Sequence, residues 1–143
     1  MLQQEFMAGF SIFSKIVQWL QSTEMFARPA KQLPGKWQLY EYYAETDGGL
    51  INYKQQQIDE LKQQWNIEFT PDYQFIQFSS LNLLFIKNNC KGKWRIKKNY
   101  LEIELDSSDT VSFQFAIEIE QLKLLKKDST GKIDFFGFFR RVG

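Results

Sequence analysis

The residue types that usually carry catalysis or metal binding are scarce in this sequence. There is no His among its 143 residues, and Cys90 is the only Cys. The missing imidazole excludes Ser-His-Asp and Cys-His nucleophile systems, His-liganded zinc and His-ligated haem. A single Cys also excludes an internal disulfide and a thiolate metal cluster. No motif indicates a carboxylate, Lys or Tyr enzyme, so we predict no enzymatic activity, no metal site and no cofactor.

A basic cluster with interleaved aromatic residues is a second feature with binding chemistry. It consists of Lys87, Lys91, Lys93, Arg95, Lys97 and Lys98, with Trp94 and Tyr100 between or beside them. Such a pattern can bind a phosphate backbone or an anionic head group. However, the chain has 18 Lys+Arg against 17 Asp+Glu, so no net field attracts nucleic acid. Because Glu102 and Glu104 fall opposite two of the cations in the hairpin described below, we interpret the cluster as a solvated face and predict no nucleic-acid partner.

The spacing of apolar residues changes at Gly35, from a helical pattern before it to a strand pattern after it. Within residues 3–23, apolar side chains recur three and four positions apart, which predicts one face of an amphipathic helix. We call this face the N-terminal stripe; it consists of Phe6, Phe10, Phe13, Val17 and Leu20. Pro29 and Pro34 then interrupt the chain. We therefore divide the sequence into an N-terminal helix at 1–27, a linker at 28–34 and a main domain at 35–143.

Residues 1–27 lack the features of a signal peptide or a membrane anchor. No basic region precedes the apolar part, and Lys15 interrupts it. The apolar stretch is too short and too polar to span a bilayer, and no lipid-acceptor Cys follows it. These features predict no transmembrane segment and favour a cytoplasmic location.

From Gly35 onward the apolar period is mostly two, which predicts β-strands. The predicted strands are 36–43, 65–70, 73–79, 82–87, 93–98, 100–105, 111–119, 121–126 and 133–141, whereas 54–64 fits either a short helix or a polar strand. Short strands with tight turns indicate an antiparallel meander. Eight or nine such strands bury one face and protect their edges by closing. The expected fold is mainly β: an antiparallel up-and-down barrel of eight or nine strands, preceded by an amphipathic α-helix.

Two hairpins can be checked by the side chains that they pair. A turn at 98–99 places apolar residues opposite apolar residues and cations opposite anions on the two strands. The pairs are Lys93 with Glu104, Trp94 with Ile103, Arg95 with Glu102 and Ile96 with Leu101. A turn at 120–121 would similarly pair Ile117 with Leu124. A slip of one residue would destroy these pairings, so both hairpins support the meander.

The order of three short motifs resembles that of small bacterial lipocalin-like domains. Gly35-Lys36-Trp37 opens the first strand, Phe-Thr-Pro-Asp follows at 69–72, and Gly-Lys-Trp returns at 92–94. In lipocalins, the first such Trp plugs the closed end of the barrel and an Arg of the last strand packs across it. The resemblance spans about residues 33–142 and implies a plug made of Gly35 and Trp37, with Arg140 and Arg141 in the matching place of the last strand. It also implies that the second Gly-Lys-Trp starts a strand within the barrel.

The barrel interior is the ligand site that this resemblance implies. The inward-facing candidates are Leu39, Ile67, Phe69, Phe75, Trp94, Ile96, Leu101, Ile103, Phe113, Phe115, Ile117, Leu122, Leu124 and Phe135. They would line an apolar pocket, and the leading hypothesis is non-catalytic binding of a small apolar or amphipathic molecule. The same side chains could instead fill the barrel, which would leave a structural or protein-interaction module. A calycin-type enzyme or chromophore lyase is the third hypothesis.

Barrel closure predicts a partner for the N-terminal stripe. If alternation holds, Tyr40 and Tyr42 of the first strand and Phe136 and Phe138 of the last strand point outward. Their rings would form an apolar patch that soluble monomers seldom leave bare. We expect the N-terminal stripe to dock across this patch, in its own subunit or in a homodimer that exchanges helices.

Overall fold

The structure, a computed structural model, describes residues 29–46, 48–81 and 89–143. The predicted helix at 3–23 and the predicted strand at 82–87 lie outside these ranges. In chain order the described elements are α1 (Pro29–Gln32), β1 (Gly35–Thr46), β2 (Gly49–Tyr53), α2 (Gln55–Glu60), β3 (Trp65–Phe69), β4 (Gln74–Ser79), β5 (Asn89–Lys97), β6 (Tyr100–Leu105), β7 (Thr110–Ile117), β8 (Gln121–Lys127) and β9 (Ile133–Arg141). Neither described helix is long and apolar enough to cross a membrane.

The strands form one antiparallel sheet that closes on itself. The strand order is β2-β1-β3-β4-β5-β6-β7-β8-β9, and β9 also pairs with β1. Eight strands, β1 and β3 to β9, therefore form the barrel, and β2 is an additional strand beside β1. This confirms the predicted mainly β, up-and-down barrel.

Strand β1 changes its partner halfway along its length. Residues 35–38 pair with β3, whereas 42–46 pair with β2 on the same side of the strand. Helix α2 lies against β1 and β2, and its Ile58 is buried in the barrel core. The stretch 54–64, which the sequence left open between helix and strand, is thus helical over Gln55–Glu60. At the start of α2 the backbone N–H of Lys54 donates to Gln57 Oε1 over 2.7 Å. Strand β2 was not predicted, because five residues carry too short a pattern.

The two ends of the barrel differ, and we name them by Trp37. The lower end holds Trp37 and the turns at 70–73, 98–99 and 118–120; the upper end holds the turns at 106–109 and 128–132. Helix α1 contacts β5, and Leu33, which follows it, is buried in the core. The chain therefore crosses beneath the barrel before β1 begins.

The predicted hairpin at 98–99 is confirmed, because β5 and β6 pair Trp94 with Ile103 and Arg95 with Glu102. The second predicted register is wrong by two residues: β7 and β8 pair Ile117 with Leu122, and the turn lies one residue earlier than predicted. A shift of two keeps every side chain on the same face of the sheet. Apolar alternation therefore cannot distinguish the two registers.

The second Gly-Lys-Trp lies in the middle of β5 and does not start a strand, so that expectation is wrong. A Cβ atom at Gly92 would overlap the carbonyl oxygen of Glu104 on β6. Only glycine permits this close approach of the two backbones. The motif therefore marks a strand-to-strand contact, followed by an inward indole at Trp94.

A β-bulge in β1 corrects the predicted direction of Tyr42. Against β9, Leu39 pairs with Phe139 but Glu41 pairs with Phe138, which leaves Tyr40 as an extra residue. Such a bulge reverses the alternation beyond it. Tyr42 is consequently buried in the barrel interior, and the prediction that it points outward is wrong.

Candidate functional site

The lower end of the barrel is closed by Trp37. The indole is fully buried, and its Nε1–H donates to the carbonyl oxygen of Leu33 over 2.9 Å. This bond satisfies the one polar atom of the ring and fixes the crossing chain beneath the barrel. Trp37 therefore lies where the sequence resemblance expected a plug.

Arg141, and not Arg140, packs across Trp37. The guanidinium carbon of Arg141 lies 4.2 Å from the centroid of the indole, within cation–π range. Its Nη1 and Nη2 donate to the carbonyl oxygens of Pro34 and Gln32 over 2.9 and 2.7 Å. Arg140 is exposed and donates to Gln38 Oε1 over 3.1 Å. The adjacent arginines thus have different roles because they point to opposite faces of β9.

Gly35 is required beside this arginine for two reasons. Its φ of +140° favours glycine, and an added Cβ would overlap Nη1 of Arg141. The Gly-x-Trp pattern at 35–37 is therefore structural, since glycine leaves room for the arginine that covers the tryptophan.

The interior of the barrel is filled by side chains that form one apolar cluster, which we call the interior cluster. Trp37, Trp65, Phe69, Phe75, Phe113, Phe135 and Phe139 are all at most 1% exposed. Trp65 lies 5.2 Å from Phe135 and 5.3 Å from Phe139, measured between ring centroids. A ring with no water-accessible surface has no water-sized space beside it. The barrel interior is therefore a packed core wherever these side chains lie.

The structure places the fourteen predicted inward residues in or against the interior cluster. Twelve of them are buried, whereas Ile96 and Ile117 are partly buried and pack against the others. The list of inward candidates omitted Trp65, which is among the most deeply buried rings, although alternation with Ile67 identifies it. Phe139, which alternation with Phe135 places inward, is also fully buried.

Polar groups inside the upper half of the barrel are few and bonded. Trp65 Nε1 donates to Gln77 Oε1 over 2.9 Å, and the hydroxyl of Tyr42 donates to Gln63 Oε1 over 2.7 Å. The Tyr42 ring stacks on Tyr53 with 4.7 Å between centroids. Burial raises the pKa of Tyr42 to about 12, so its phenol is neutral at physiological pH. It donates a structural hydrogen bond and is not poised as a base.

Clefts on the outer surface include two that are lined by described residues. One, of about 350 Å³, lies between α2 and β1; four glutamines, Asp59, Lys62 and Arg140 line it together with Leu39 and Ile58 of the interior cluster. The other, of about 410 Å³, lies at the upper end and is lined by Ile76, Cys90 and Leu105 among others. Leu105 and Cys90 also pack in or against the interior cluster. The second cleft therefore reaches the edge of the core.

Three carboxylates meet at the upper end, a grouping that the sequence analysis did not predict. Oxygens of Glu45, Asp128 and Asp134 lie within 4.8 Å of one another. Lys126 Nζ lies 3.1 Å from Asp134 Oδ2, and the hydroxyl of Thr130 donates to Asp128 Oδ1 over 2.6 Å. This hydroxyl bond is the main cause that lowers the pKa of Asp128. Asp128 and Asp134 are thus engaged by groups of their own turn and of β8.

The basic cluster lies on the outer face of β5 and in the turn at 98–99, except Lys87, which is outside the described residues. Nε of Arg95 lies 2.6 Å from Glu102 Oε2. Lys93 is opposite Glu104 in the same register. Anions of β6 thus interleave with the cations, as the solvated-face interpretation requires.

Comparison with known proteins connects this geometry to one family. The family profile described as "Lipocalin-like domain" matches residues 33–124, which is more than half of the chain. No curated protein matches the sequence.

Solved structures that are similar to the chain include two from Bacteroides species. One is an uncharacterized protein from Bacteroides eggerthii, with 15% identity and a TM-score of 0.49 over 77% of this chain and 99% of that one. The other is a lipocalin-like protein from Bacteroides uniformis, with 18% identity and a TM-score of 0.49 over 78% of this chain and 99% of that one.

The match to the family profile begins just before Gly35 and includes both Gly-Lys-Trp motifs. With its closed antiparallel barrel and its Trp37 plug, the chain belongs to the family of lipocalin-like domains.

Proposed function

We propose that this protein is a non-catalytic binding module whose barrel is a scaffold filled by its own side chains. The main support is the burial of the Trp and Phe rings of the interior cluster, none of which is more than 2% exposed. A ligand inside the barrel would have to displace several of them, and each lost ring contact costs packing energy. Recognition is then made by the outer surface and the barrel rim.

The absence of His from the whole sequence supports a non-catalytic role. The buried phenol of Tyr42 is held neutral, and two of the three upper-end carboxylates, Asp134 and Asp128, are bonded to Lys126 and Thr130. A general base needs a pKa near the working pH and access to its substrate. The buried phenol of Tyr42 meets neither requirement, and the lowered pKa of Asp128 does not meet the first.

The outer face of β4 offers a surface of the kind that contacts partners. Ile76 and Phe78 point outward there and are 40% and 47% exposed. Lys91 and Asn89 lie beside them on β5. Large apolar side chains rimmed by polar ones are typical of contact surfaces.

A second candidate is binding of a small apolar or amphipathic molecule. The cleft of about 410 Å³ favours it, because Leu105 and Cys90 connect that cleft to the interior cluster. An apolar tail could enter along Leu105 while a polar group stays near Lys91. The cleft volume is within the range of small-molecule pockets.

One experiment separates the two candidates. Purified full-length protein is examined by native mass spectrometry, and a fluorescent fatty-acid analogue is then titrated against it. The filled scaffold predicts the mass of the bare chain and no saturable binding at tens of micromolar. Stoichiometric binding that unlabelled fatty acid reverses would reject the filled scaffold in favour of the small-molecule function.

Labelling of Cys90 tests whether any such ligand uses the upper-end cleft. The rate of modification of Cys90 by a small thiol reagent is measured with and without fatty acid. Binding in the cleft predicts slower modification, and Ile76→Ser should weaken this protection because it removes an apolar wall. Phe78→Ser, on the same outer face, serves as the matched control. An unchanged rate under saturating fatty acid would exclude the cleft.

A further inference from the structure

A second apolar cluster lies on the outside of the barrel, separate from the interior cluster. It consists of Ala116, Leu125, Ile133 and Phe136, with Tyr43 and Phe138 packed against them; we call it the outer-wall cluster. Alternation places Ala116, Leu125 and Phe136 outward, because their neighbours Phe115, Leu124 and Phe135 belong to the interior cluster. Ile133 joins them beyond the irregularity in the β8–β9 register, where Lys126 pairs with Phe135 but Lys127 pairs with Ile133. The cluster spans the outer faces of β7, β8, β9 and β1.

The burial of the outer-wall cluster is unexpected for an outward face. Ala116, Leu125 and Phe136 are each only 1% exposed. The Phe136 ring packs edge-on against Phe138 with 4.7 Å between centroids, and Tyr43 lies 6.4 Å from each. Rings on one flat wall do not cover one another on the solvent side. Something must therefore lie across them.

Polar groups on the same wall also indicate a cover. Gln114 Oε1 is fully buried and receives no hydrogen bond from any described residue. A buried amide oxygen normally has a donor. Lys123, whose Nζ lies 5.7 Å from the centroid of Phe138, has a pKa lowered mainly by burial. An exposed lysine on a bare wall would not be desolvated in this way.

The described elements do not supply this cover. Helix α1 packs mainly against β5, and α2 packs mainly against β1 and β2. The segment 82–88 joins β4 to β5, which lie on the opposite side of the ring of strands from β8 and β9. The remaining long segment is residues 1–28.

We propose that residues 1–28 lie across the outer-wall cluster of their own subunit, with the N-terminal stripe facing Phe136 and Leu125. The stripe supplies three Phe, a Val and a Leu, which match an aromatic and aliphatic wall. A helix over residues 3–23 would be about 31 Å long, and the five residues before Pro29 reach up to about 17 Å. The segment is therefore long enough to lie over the four strands.

Hydrogen exchange of the unmodified full chain tests the proposal without any variant. Amides within residues 6–20 should exchange at least about tenfold more slowly than an unstructured peptide of the same sequence. The protection should be independent of protein concentration, and light scattering should give a monomer. Exchange at the unstructured rate would overturn the proposal. A dimer whose protection is lost on dilution would overturn the same-subunit placement.

A matched pair of variants in the full chain tests the partner surface. Phe10→Asp puts a charge into the N-terminal stripe, whereas Ser11→Asp puts the same charge one position away on its polar face. In Phe10→Asp, acetylation of Lys123 should become about tenfold faster, because its protection requires the segment to be docked. Lys127 of the same strand should react equally in both variants. If Phe10→Asp and Ser11→Asp leave Lys123 equally protected, the stripe does not cover this wall.

Phe10→Ala provides the same test if Phe10→Asp fails to fold. It shortens the side chain without adding charge, so it should raise the reactivity of Lys123 in the same direction by a smaller factor. An anilinonaphthalene sulfonate probe should bind to Phe10→Ala more strongly than to the unmodified chain. Unchanged reactivity together with unchanged probe binding would overturn the proposal.

Discussion

At the scale of single residues, the lower end of the barrel depends on Arg141. Its guanidinium covers the Trp37 indole and donates to the carbonyl oxygens of Gln32 and Pro34, which hold the crossing chain. The planar guanidinium group can stack on the indole and donate to both carbonyl oxygens at once, and the ammonium group of a lysine cannot reproduce these contacts. The plug is thus a three-part contact among β1, β9 and the segment before β1.

Replacing each arginine by lysine separates the two adjacent positions. Arg141→Lys should lower the free energy of unfolding by about 1–3 kcal/mol, because two carbonyl contacts and the indole contact are weakened. Arg140→Lys should change it by less than about 0.5 kcal/mol, because that side chain is exposed. Urea unfolding followed by tryptophan fluorescence measures both. Equal losses in the two variants would contradict the assignment of Arg141 as the covering residue.

The contribution of Tyr42 to stability should depend on pH only in the alkaline range. Its folded-state pKa of about 12 lies above the ordinary value of 10.0, so the unfolded chain loses the phenolic proton first. The contribution of Tyr42 is complete below pH 10 and is lost as the pH rises toward 12. Tyr42→Phe keeps the ring but removes the titrating group. Urea midpoints at a series of pH values should therefore decline less steeply above pH 10 in the variant; identical slopes would contradict the buried phenol.

At the scale of elements, the sequence predicts inward and outward positions well until a bulge intervenes. The stretch at 40–43 reads Tyr-Glu-Tyr-Tyr, so an aromatic side chain is available for either face. The bulge between Leu39 and Glu41 exchanges Tyr42 for Tyr43 on the outer wall without disturbing the apolar pattern. A pattern that is satisfied in both registers carries no information about which one occurs.

The same reasoning explains which other features could be predicted. The β5–β6 register was predictable because charges and apolar residues alternate strictly on both strands. The β7–β8 register was not, because a shift of two residues preserves every face. The formation of strand β2 and of helix α2 depends on their contacts with β1, and the local sequence gives no information about those contacts. The filled state of the interior likewise depends on how the rings interlock.

The turn at 98–99 offers a test at this scale. Lys98 has a φ of +57°, a conformation that glycine adopts at no steric cost. Lys98→Gly should raise the free energy of unfolding by about 0.5–1 kcal/mol, since the strain of a left-handed lysine exceeds the added entropy of the unfolded chain. Lys97→Gly, one residue earlier within β5, should lower it by about 0.5–1 kcal/mol. Thermal unfolding measures both; a loss of stability in Lys98→Gly would contradict the turn geometry.

At the scale of the whole molecule, the protein has two apolar layers on one barrel wall. The interior cluster fills the barrel, and the outer-wall cluster lies behind it on β7, β8, β9 and β1. A chain of this length with 14 Phe and 4 Trp has more aromatic surface than a single barrel interior requires. The second layer buries Phe136, with Tyr43 and Phe138 packed against it, and it is the surface on which we propose that the N-terminal segment docks.

The filled interior has a consequence for engineered cavities. Phe113 is fully buried within the interior cluster, so Phe113→Ala should leave a dry apolar space. The variant should lose about 3–5 kcal/mol of folding free energy. Leu101→Ala, which removes fewer atoms from the same interior, should lose about 2–5 kcal/mol and provides a milder cavity. These two variants supply positive controls for any search for space in the unmodified barrel.

Xenon binding in pressurised crystals tests the filled barrel most directly, because xenon enters dry apolar cavities that water avoids. The unmodified protein should show no xenon atom enclosed by residues of the interior cluster. Phe113→Ala or Leu101→Ala, treated identically, should show one at the site of the deleted side chain. An ordered xenon atom inside the unmodified barrel, in contact with residues such as Phe113 and Phe135, would contradict the filled scaffold and establish a pre-formed pocket.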